Sequence, residues 1–192
     1  QLPREDLRVV VGGVPYFTEL PNTRQHIFYT DLTPSSSVRV LRNSVAHLRA
    51  GGSVLIYPTG KADPDPDALP GASAQLEDWS QSVAVMLGRV PETRLVPVAA
   101  SGILSSRYLR HPIARIQPRQ RYRQRVAELF QMYRQFRDAG CPPLSRPLLS
   151  FGEPVSGAAL LARAGKEGLM PAVISRARET LRGHMALAGK EL

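Results

Sequence analysis

Residues 51–60 read Gly-Gly-Ser-Val-Leu-Ile-Tyr-Pro-Thr-Gly. Val54, Leu55, Ile56 and Tyr57 form a short apolar run that is partly β-branched, opened by Gly51-Gly52 and closed by Pro58-Thr59-Gly60. That pattern predicts a buried strand ending in a sharp turn. Ligands of open α/β sheets bind beyond the carboxyl ends of parallel strands, so the working site is expected at Tyr57, Pro58, Thr59, Gly60 and Lys61.

The elements on either side fit that strand. Leu7–Val11 and His26–Thr30 read as strands. Pro34 and Ser35–Ser37 supply helix-start chemistry, and Val38, Leu41, Val45 and Leu48 recur at helical spacing up to Gly51. Strand, helix, strand predicts a right-handed crossover with parallel pairing. Further on, a Pro- and Asp-rich loop covers 58–70 and a helix is expected over Gln75–Leu87, with Trp79, Val83 and Met86 inward. Arg94–Ala100 reads as a strand whose Pro97 marks an edge or a bulge. A long helix places Val126, Leu129, Phe130, Tyr133 and Phe136 on its inner face, and Pro147–Phe151 is a late strand. Residues 160–188 read as helical, broken near Gly165–Gly168 and at Pro171. Alternating strands and helices predict an α/β class, with a mixed, mostly parallel sheet flanked by helices. No long linker divides the 192 residues, so one domain is expected over 1–192, with 157–192 as a helical C-terminal extension.

Composition narrows the partners. The net charge is +9, and arginine dominates because only Lys61, Lys166 and Lys190 are lysines. Arginine suits planar, bidentate contact with phosphate or carboxylate, so an anionic partner is expected. The lone Cys141 excludes an intramolecular disulfide and a cysteine metal cage within one chain. No apolar run approaches the ~20 residues that span a bilayer, and no signal peptide opens the sequence. A cytoplasmic setting follows as an expectation, with association at the cytoplasmic face of a membrane.

Four stretches, in order, resemble the phospholipid/glycerol acyltransferases, which include the lysophosphatidate acyltransferases. Tyr57-Pro58-Thr59-Gly60-Lys61-Ala62 stands where that family carries Phe-Pro-Glu-Gly-Thr-Arg. His26–Asp31 (HIFYTD) is similar to its upstream strand, Val96–Gly102 (VPVAASG) to its Val-Pro-Val segment, and Phe151-Gly152-Glu153-Pro154 to its Phe-Gly-Glu-Pro. The resemblance covers about residues 5–156. It implies a glycerol-phosphate acyltransferase-like fold and transfer of an acyl chain from an acyl-CoA or acyl-carrier-protein thioester to a glycerophospholipid-type acceptor. The thioester is a co-substrate, and no bound cofactor or metal is implied. Two departures stand out: Thr59 replaces the family's glutamate, and Ala62 its final arginine. Lys61 offers a cation one position early.

In that family a His-x4-Asp motif supplies the general base and the carboxylate that orients it. His26 and Asp31 fit the spacing literally, yet they are read as a coincidental match. Tyr57 follows His26 by 31 positions, whereas the family has a much longer interval. Two residues five apart in a strand also face opposite sides. The catalytic motif is therefore expected upstream of Gln1, with no catalytic residue in these 192; a degenerate, noncatalytic family member is the other reading.

Other signals have plainer readings. Asp63, Asp65 and Asp67 alternate with prolines, but Ala68 and Ala74 stand where a calcium loop counted from Asp63 needs Gly and Glu, so a surface loop is expected. Arg119–Arg137 carries six arginines interleaved with Tyr122 and Tyr133. Arg119, Arg121, Arg123 and Arg125 are candidates for an anionic membrane surface; a solvated face and a nucleic-acid surface are the other readings, nucleic acid the least favoured. His47, His111 and His184 have no partner at metal-ligand spacing, and neither a Gly-x-Ser-x-Gly elbow nor a phosphate-binding Walker loop is present. The alternatives to an acyltransferase are a noncatalytic basic module for anionic lipid or nucleic acid, and another α/β enzyme acting on phosphate esters.

Overall fold

The computed structural model describes residues 5–12, 19, 21–31, 33–138 and 145–189. Seven strands and eight α-helices follow in the order β1 (Leu7–Gly12), β2 (Ile27–Thr30), α1 (Pro34–Arg49), β3 (Ser53–Leu55), α2 (Ala72–Gln75), α3 (Ser82–Arg89), β4 (Arg94–Leu95) and β5 (Val98–Ser101), then α4 (Ser106–Leu109), α5 (Pro112–Arg115), α6 (Gln120–Arg137), β6 (Leu148–Phe151), β7 (Val155–Ser156), α7 (Gly157–Ala164) and α8 (Leu169–Leu187) among the described residues. The class is mixed α/β. Among the described residues parallel pairing is confined to one three-stranded sheet of order β2-β1-β3; β4 pairs β7 and β5 pairs β6, both antiparallel.

The backbone forms two compact units, each assembled from separate stretches. The first comprises Gln1–Gly60, Ser80–Leu95 and Val155–Val173; the second comprises Lys61–Trp79, Val96–Pro154 and Ile174–Leu192. The chain passes back and forth between them, so no linker marks the division.

In the first unit β2 and β3 flank β1 on opposite sides, so α1 carries the chain across β1. Thr33 caps α1: its Oγ1 accepts the Ser36 N–H at 3.3 Å, and Pro34 fills the first turn, where a missing N–H costs nothing. The buried face of α1 is not the expected one. Ser36, Val40 and Ser44 are buried, whereas Val38 is 50% exposed. Serines at this spacing let the helix approach the small sheet closely, and the Ser36 hydroxyl is satisfied by the Asp31 N–H at 3.3 Å and Arg39 at 3.1 Å. Gly52 has no room for a Cβ, which would meet the His47 ring. That ring donates from Nε2 to the Asp6 carbonyl at 2.5 Å. The expected buried strand of 54–57 is shorter and less covered. β3 ends at Leu55, pairs among the described residues only with β1, and leaves Leu55 37% exposed.

The expected helix over Gln75–Leu87 is broken. A 3-10 turn over Leu76–Asp78 ends at an extended Trp79, and α3 restarts at Ser82 with Val83, Met86 and Leu87 buried. Each such side chain contributes ~1.5–3 kcal/mol when fully buried. The expected strand Arg94–Ala100 is likewise divided at Val96-Pro97, because proline has no N–H for a ladder. Pro171 does not break α8. It lies in the first turn, where the N–H has no intrahelical acceptor.

Two apolar clusters lie in the second unit among the described residues. Leu76, Ala99, Ala177, Leu181 and Met185 form one; Leu104, Tyr108, Leu109, Ala114 and Ala127 form the other, with Val126 and Phe130 packed against it. The expected inner face of α6 is largely outside. Leu129, Tyr133 and Phe136 are 64%, 59% and 81% exposed, while Gln124, Ala127 and Gln131 are buried. The glutamines are buried because they are bonded. Gln131 accepts the Ser105 N–H and donates to the Ile103 carbonyl, both at 2.8 Å. Gln124 donates to the Asp63 carbonyl at 2.9 Å and to Glu128 at 2.8 Å.

Candidate functional site: a cationic cleft in the second unit

The five expected ligand-binding residues are divided between the units. Tyr57–Gly60 close the first part of unit one as a turn. The Gly60 N–H donates to the Tyr57 carbonyl at 3.0 Å, Gly60 takes φ +62°, and the Pro58 carbonyl accepts the Ser80 N–H at 3.0 Å. Tyr57 is 61% exposed. Lys61 opens the second unit, and its ammonium lies 3.4 Å from the Asp78 carboxylate. Asp78, 17 residues further along the sequence, is thus one partner of Lys61.

Lys61 is one wall of a cleft of about 510 Å³. Arg121 and Arg125 enter it from α6, Pro64, Pro70 and Gly71 form the loop side, and Gln75, Gln120 and Gln124 add amides. No carboxylate stands among these lining residues. Two readings that were separate in sequence, the lysine after the turn and the arginine run, therefore meet in one cavity of one unit. The Gln120 amide donates to the Pro70 carbonyl at 2.8 Å and ties the start of α6 to the loop. Arg121 donates to the Tyr122 hydroxyl at 3.1 Å, and its guanidinium lies 4.8 Å from that ring. The Arg121 hydrogen bond and charge hold the Tyr122 phenol below its ordinary pKa.

The arginine run does not act as one patch. Arg119, Arg121 and Arg125 are exposed. Arg123 is half-buried, and its Nε and Nη2 donate to the Leu109 carbonyl at 3.1 and 2.9 Å, closing the end of α4.

Asp65, expected on a surface loop, is buried at 7% exposure. Its carboxylate accepts four backbone N–H groups: Asp67 at 2.9 Å, Gly102 at 3.0 Å, and Ile103 and Leu104 at 2.8 Å each. It fixes the cleft's loop to the end of β5. The only local signal is the Asx turn from Asp65 to Asp67, which cannot announce the distant donors Gly102, Ile103 and Leu104.

His26 is not in a strand interior; it ends a 3-10 turn over Arg24–His26, with Nδ1 3.5 Å from Arg8 Nη1. Asp31 accepts from the Thr33 N–H at 3.0 Å and the Thr33 hydroxyl at 2.6 Å. No hydrogen bond joins His26 to Asp31 among the described residues. His111 caps α5 through Nδ1 and stacks on Phe130, with 4.9 Å between ring centroids.

The Phe151-Gly152-Glu153 stretch lines a second cleft of about 410 Å³ with Ser150, Thr180 and His184. Gly152 is required there, because a Cβ would meet the Thr180 hydroxyl. His184, read from sequence as part of a tail, is fully buried, with Nδ1 2.8 Å from the Ser150 hydroxyl and Nε2 without a hydrogen-bond partner. Among the described residues no third group holds the ring through Nε2. Cys141 lies outside the described residues. Among the described residues no cluster of histidine, cysteine or carboxylates is placed to hold a metal, and no helix is long and apolar enough to cross a membrane. In comparisons with family models, characterised proteins and solved structures, nothing matched this chain.

Proposed function

We propose that the chain binds a phosphorylated, lipid-type acceptor through the cleft of Lys61, Arg121 and Arg125, as the acceptor-binding part of an acyltransferase-like domain. One observation carries this reading: three cations from two separate stretches line one cavity that has no lining carboxylate. A phosphate dianion has two charges and several acceptor oxygens, which an arginine fork and an ammonium can meet together. The buried Asp65 and the Gln120 tether hold loop and helix in place, so the backbone that carries the cations is fixed before the ligand arrives.

The order of the four family-like stretches supports the acyl-transfer part. In that reaction the acceptor hydroxyl attacks the thioester carbonyl, the C–S bond breaks, the thiol leaves, and the hydroxyl proton passes to a base. The fold expected of that family likewise stands as a proposal for this chain, supported by the parallel β2-β1-β3 sheet with its crossing helix.

A second reading has its own observation. The cleft's lining holds no histidine, aspartate or glutamate, the groups that most often take a proton. A noncatalytic module that retains an anionic lipid headgroup would use the same contacts.

Calorimetric titration with glycerol 3-phosphate and with glycerol tests the shared part. Saturable binding of the phosphate ester, absent for glycerol and weakened about tenfold or more by Arg121→Gln, is expected, since a hydrogen bond to a charged group is worth ~1.5–3 kcal/mol. Equal behaviour of the two ligands removes the cleft from the argument. An acyl-thioester assay on the same protein then separates the readings. Turnover favours the enzyme, and binding without turnover favours the module.

A further inference from the structure

Helix α6 places its apolar residues on the outside. Leu129, Tyr133 and Phe136 recur at i, i+4 and i+7, with Met132 beside them, which puts all four on one side of a helix of 3.6 residues per turn. They are 64%, 59%, 81% and 50% exposed in that order, with Met132 last. The opposite side is fully occupied, with Ala127 at 0% exposure and Gln124 and Gln131 held by the hydrogen bonds given above. The outward face is therefore not a core face turned slightly out of register. Large apolar groups left in water over about two turns indicate a surface that something else covers.

The charge on the same element selects the occupant. From Arg119 to Asp138 six arginines stand against Glu128 and Asp138. Arg125 lies one turn before Leu129 on the same side and is exposed, and the Arg137 guanidinium lies 5.8 Å from the Tyr133 ring. An apolar stripe with cationic borders matches the layered chemistry of an anionic bilayer, acyl chains below and phosphate above. A nucleic acid would meet the arginines and stack on Tyr133 or Phe136, but it leaves Leu129 and Met132 without a partner.

We propose that α6 is an interfacial anchor. The helix lies in the plane of an anionic lipid surface, with Leu129, Met132, Tyr133 and Phe136 among the acyl chains and Arg125 and Arg137 at the headgroups. The proposal stands on the exposed face and does not depend on the cleft's ligand. Tyr122 and Arg125 line the cleft and also precede the stripe on its own side, so a headgroup in the cleft would lie where the stripe enters lipid.

The test is sedimentation of the whole chain with vesicles of phosphatidylcholine alone and of phosphatidylcholine mixed with phosphatidylserine. Binding is expected to the mixed vesicles only, falling as salt is raised. The double variant Leu129→Ser, Phe136→Ser removes buried apolar area on the membrane but little in the protein. It should cut vesicle partitioning about tenfold or more while urea denaturation stays unchanged. A tryptophan at position 136 should show a blue-shifted difference spectrum, relative to the parent with its single Trp79, on adding mixed vesicles. Unchanged partitioning of the double serine variant overturns the proposal. So does a concentration-dependent dimer that the same variant abolishes, which would assign the face to a second copy. Binding to a single-stranded RNA that Phe136→Ser abolishes, with no binding to vesicles, would also overturn it. Loss of glycerol 3-phosphate binding in Arg121→Gln with vesicle binding retained would leave the anchor standing and place that headgroup contact apart from it.

Discussion

The Asp65 carboxylate accepts the Leu104 N–H at 2.8 Å across 39 residues of sequence. With Gly102 and Ile103 also donating to it, the two carboxylate oxygens satisfy three consecutive amides at the point where the chain leaves β5. Gly102 is needed for that turn. It takes φ +66°, and a Cβ there would meet the Arg146 carbonyl. One carboxylate thus replaces the strand partners that the backbone loses at Ser101.

Asp65→Ala should destabilise the second unit heavily. A buried donor left without an acceptor costs ~1–3 kcal/mol, and several are exposed together, so a loss of ~3 kcal/mol or more is expected. Asp65→Asn keeps one acceptor oxygen and turns an NH2 toward the amides, so it should not rescue. Urea denaturation measures both. An Asp65→Asn midpoint equal to that of the parent would mean that the charge and the second oxygen do not matter.

Asp31 gives a pH test. The Thr33 hydroxyl and N–H lower its pKa below the ordinary aspartate value, with Ser36 and Arg39 adding to the effect. A depressed folded-state pKa adds stability that is full above the unfolded-state value and is lost as pH falls through the folded-state value. The Thr33 and Ser36 amides at the start of α1 should therefore shift together below the ordinary aspartate range, with a midpoint under that of a free aspartate. NMR titration reads this directly. In Asp31→Asn the transition should vanish, and its persistence would assign it to another group.

The sequence was a good guide to where elements lie and a poor one to which way they face. β1, β2, α1 and β6 begin within a residue or two of the expected positions, because β-branched runs and proline-serine starts act locally. The buried faces of α1 and α6 differ from the expected ones for a shared reason. Apolar periodicity assumes that polar side chains stay outside, whereas Ser36, Gln124 and Gln131 go inside once each finds a backbone or side-chain partner. Those partners are 5, 61 and 28 residues away in sequence. The same blindness hid Asp65 and His184. In the cleft, Lys61 and the arginines were singled out separately. Their meeting depends on the Gln120–Pro70 bond across 50 residues, which no local pattern contains.

The Lys61–Asp78 pair offers the sharpest test of the cleft. The two charges are 3.4 Å apart, and both side chains are about half exposed. Solvent screens such a pair, which is worth ~0.2–1 kcal/mol. Its effect on binding is to share the ammonium between Asp78 and an incoming anion. Asp78→Asn should then tighten glycerol 3-phosphate binding by roughly two- to fivefold, the amount the pair itself is worth. Lys61→Met removes the charge and keeps much of the stem, so it should weaken binding several-fold while leaving the denaturation midpoint nearly unaltered. The two changes should also be coupled: in the Lys61→Met background the gain from Asp78→Asn should shrink, because only the direct repulsion between Asp78 and the anion is left to remove. An equal gain in both backgrounds would mean that Asp78 acts on the ligand without the lysine. Binding that ignores Lys61→Met altogether would take the ammonium out of the site, and phosphate recognition would then fall to Arg121 and Arg125.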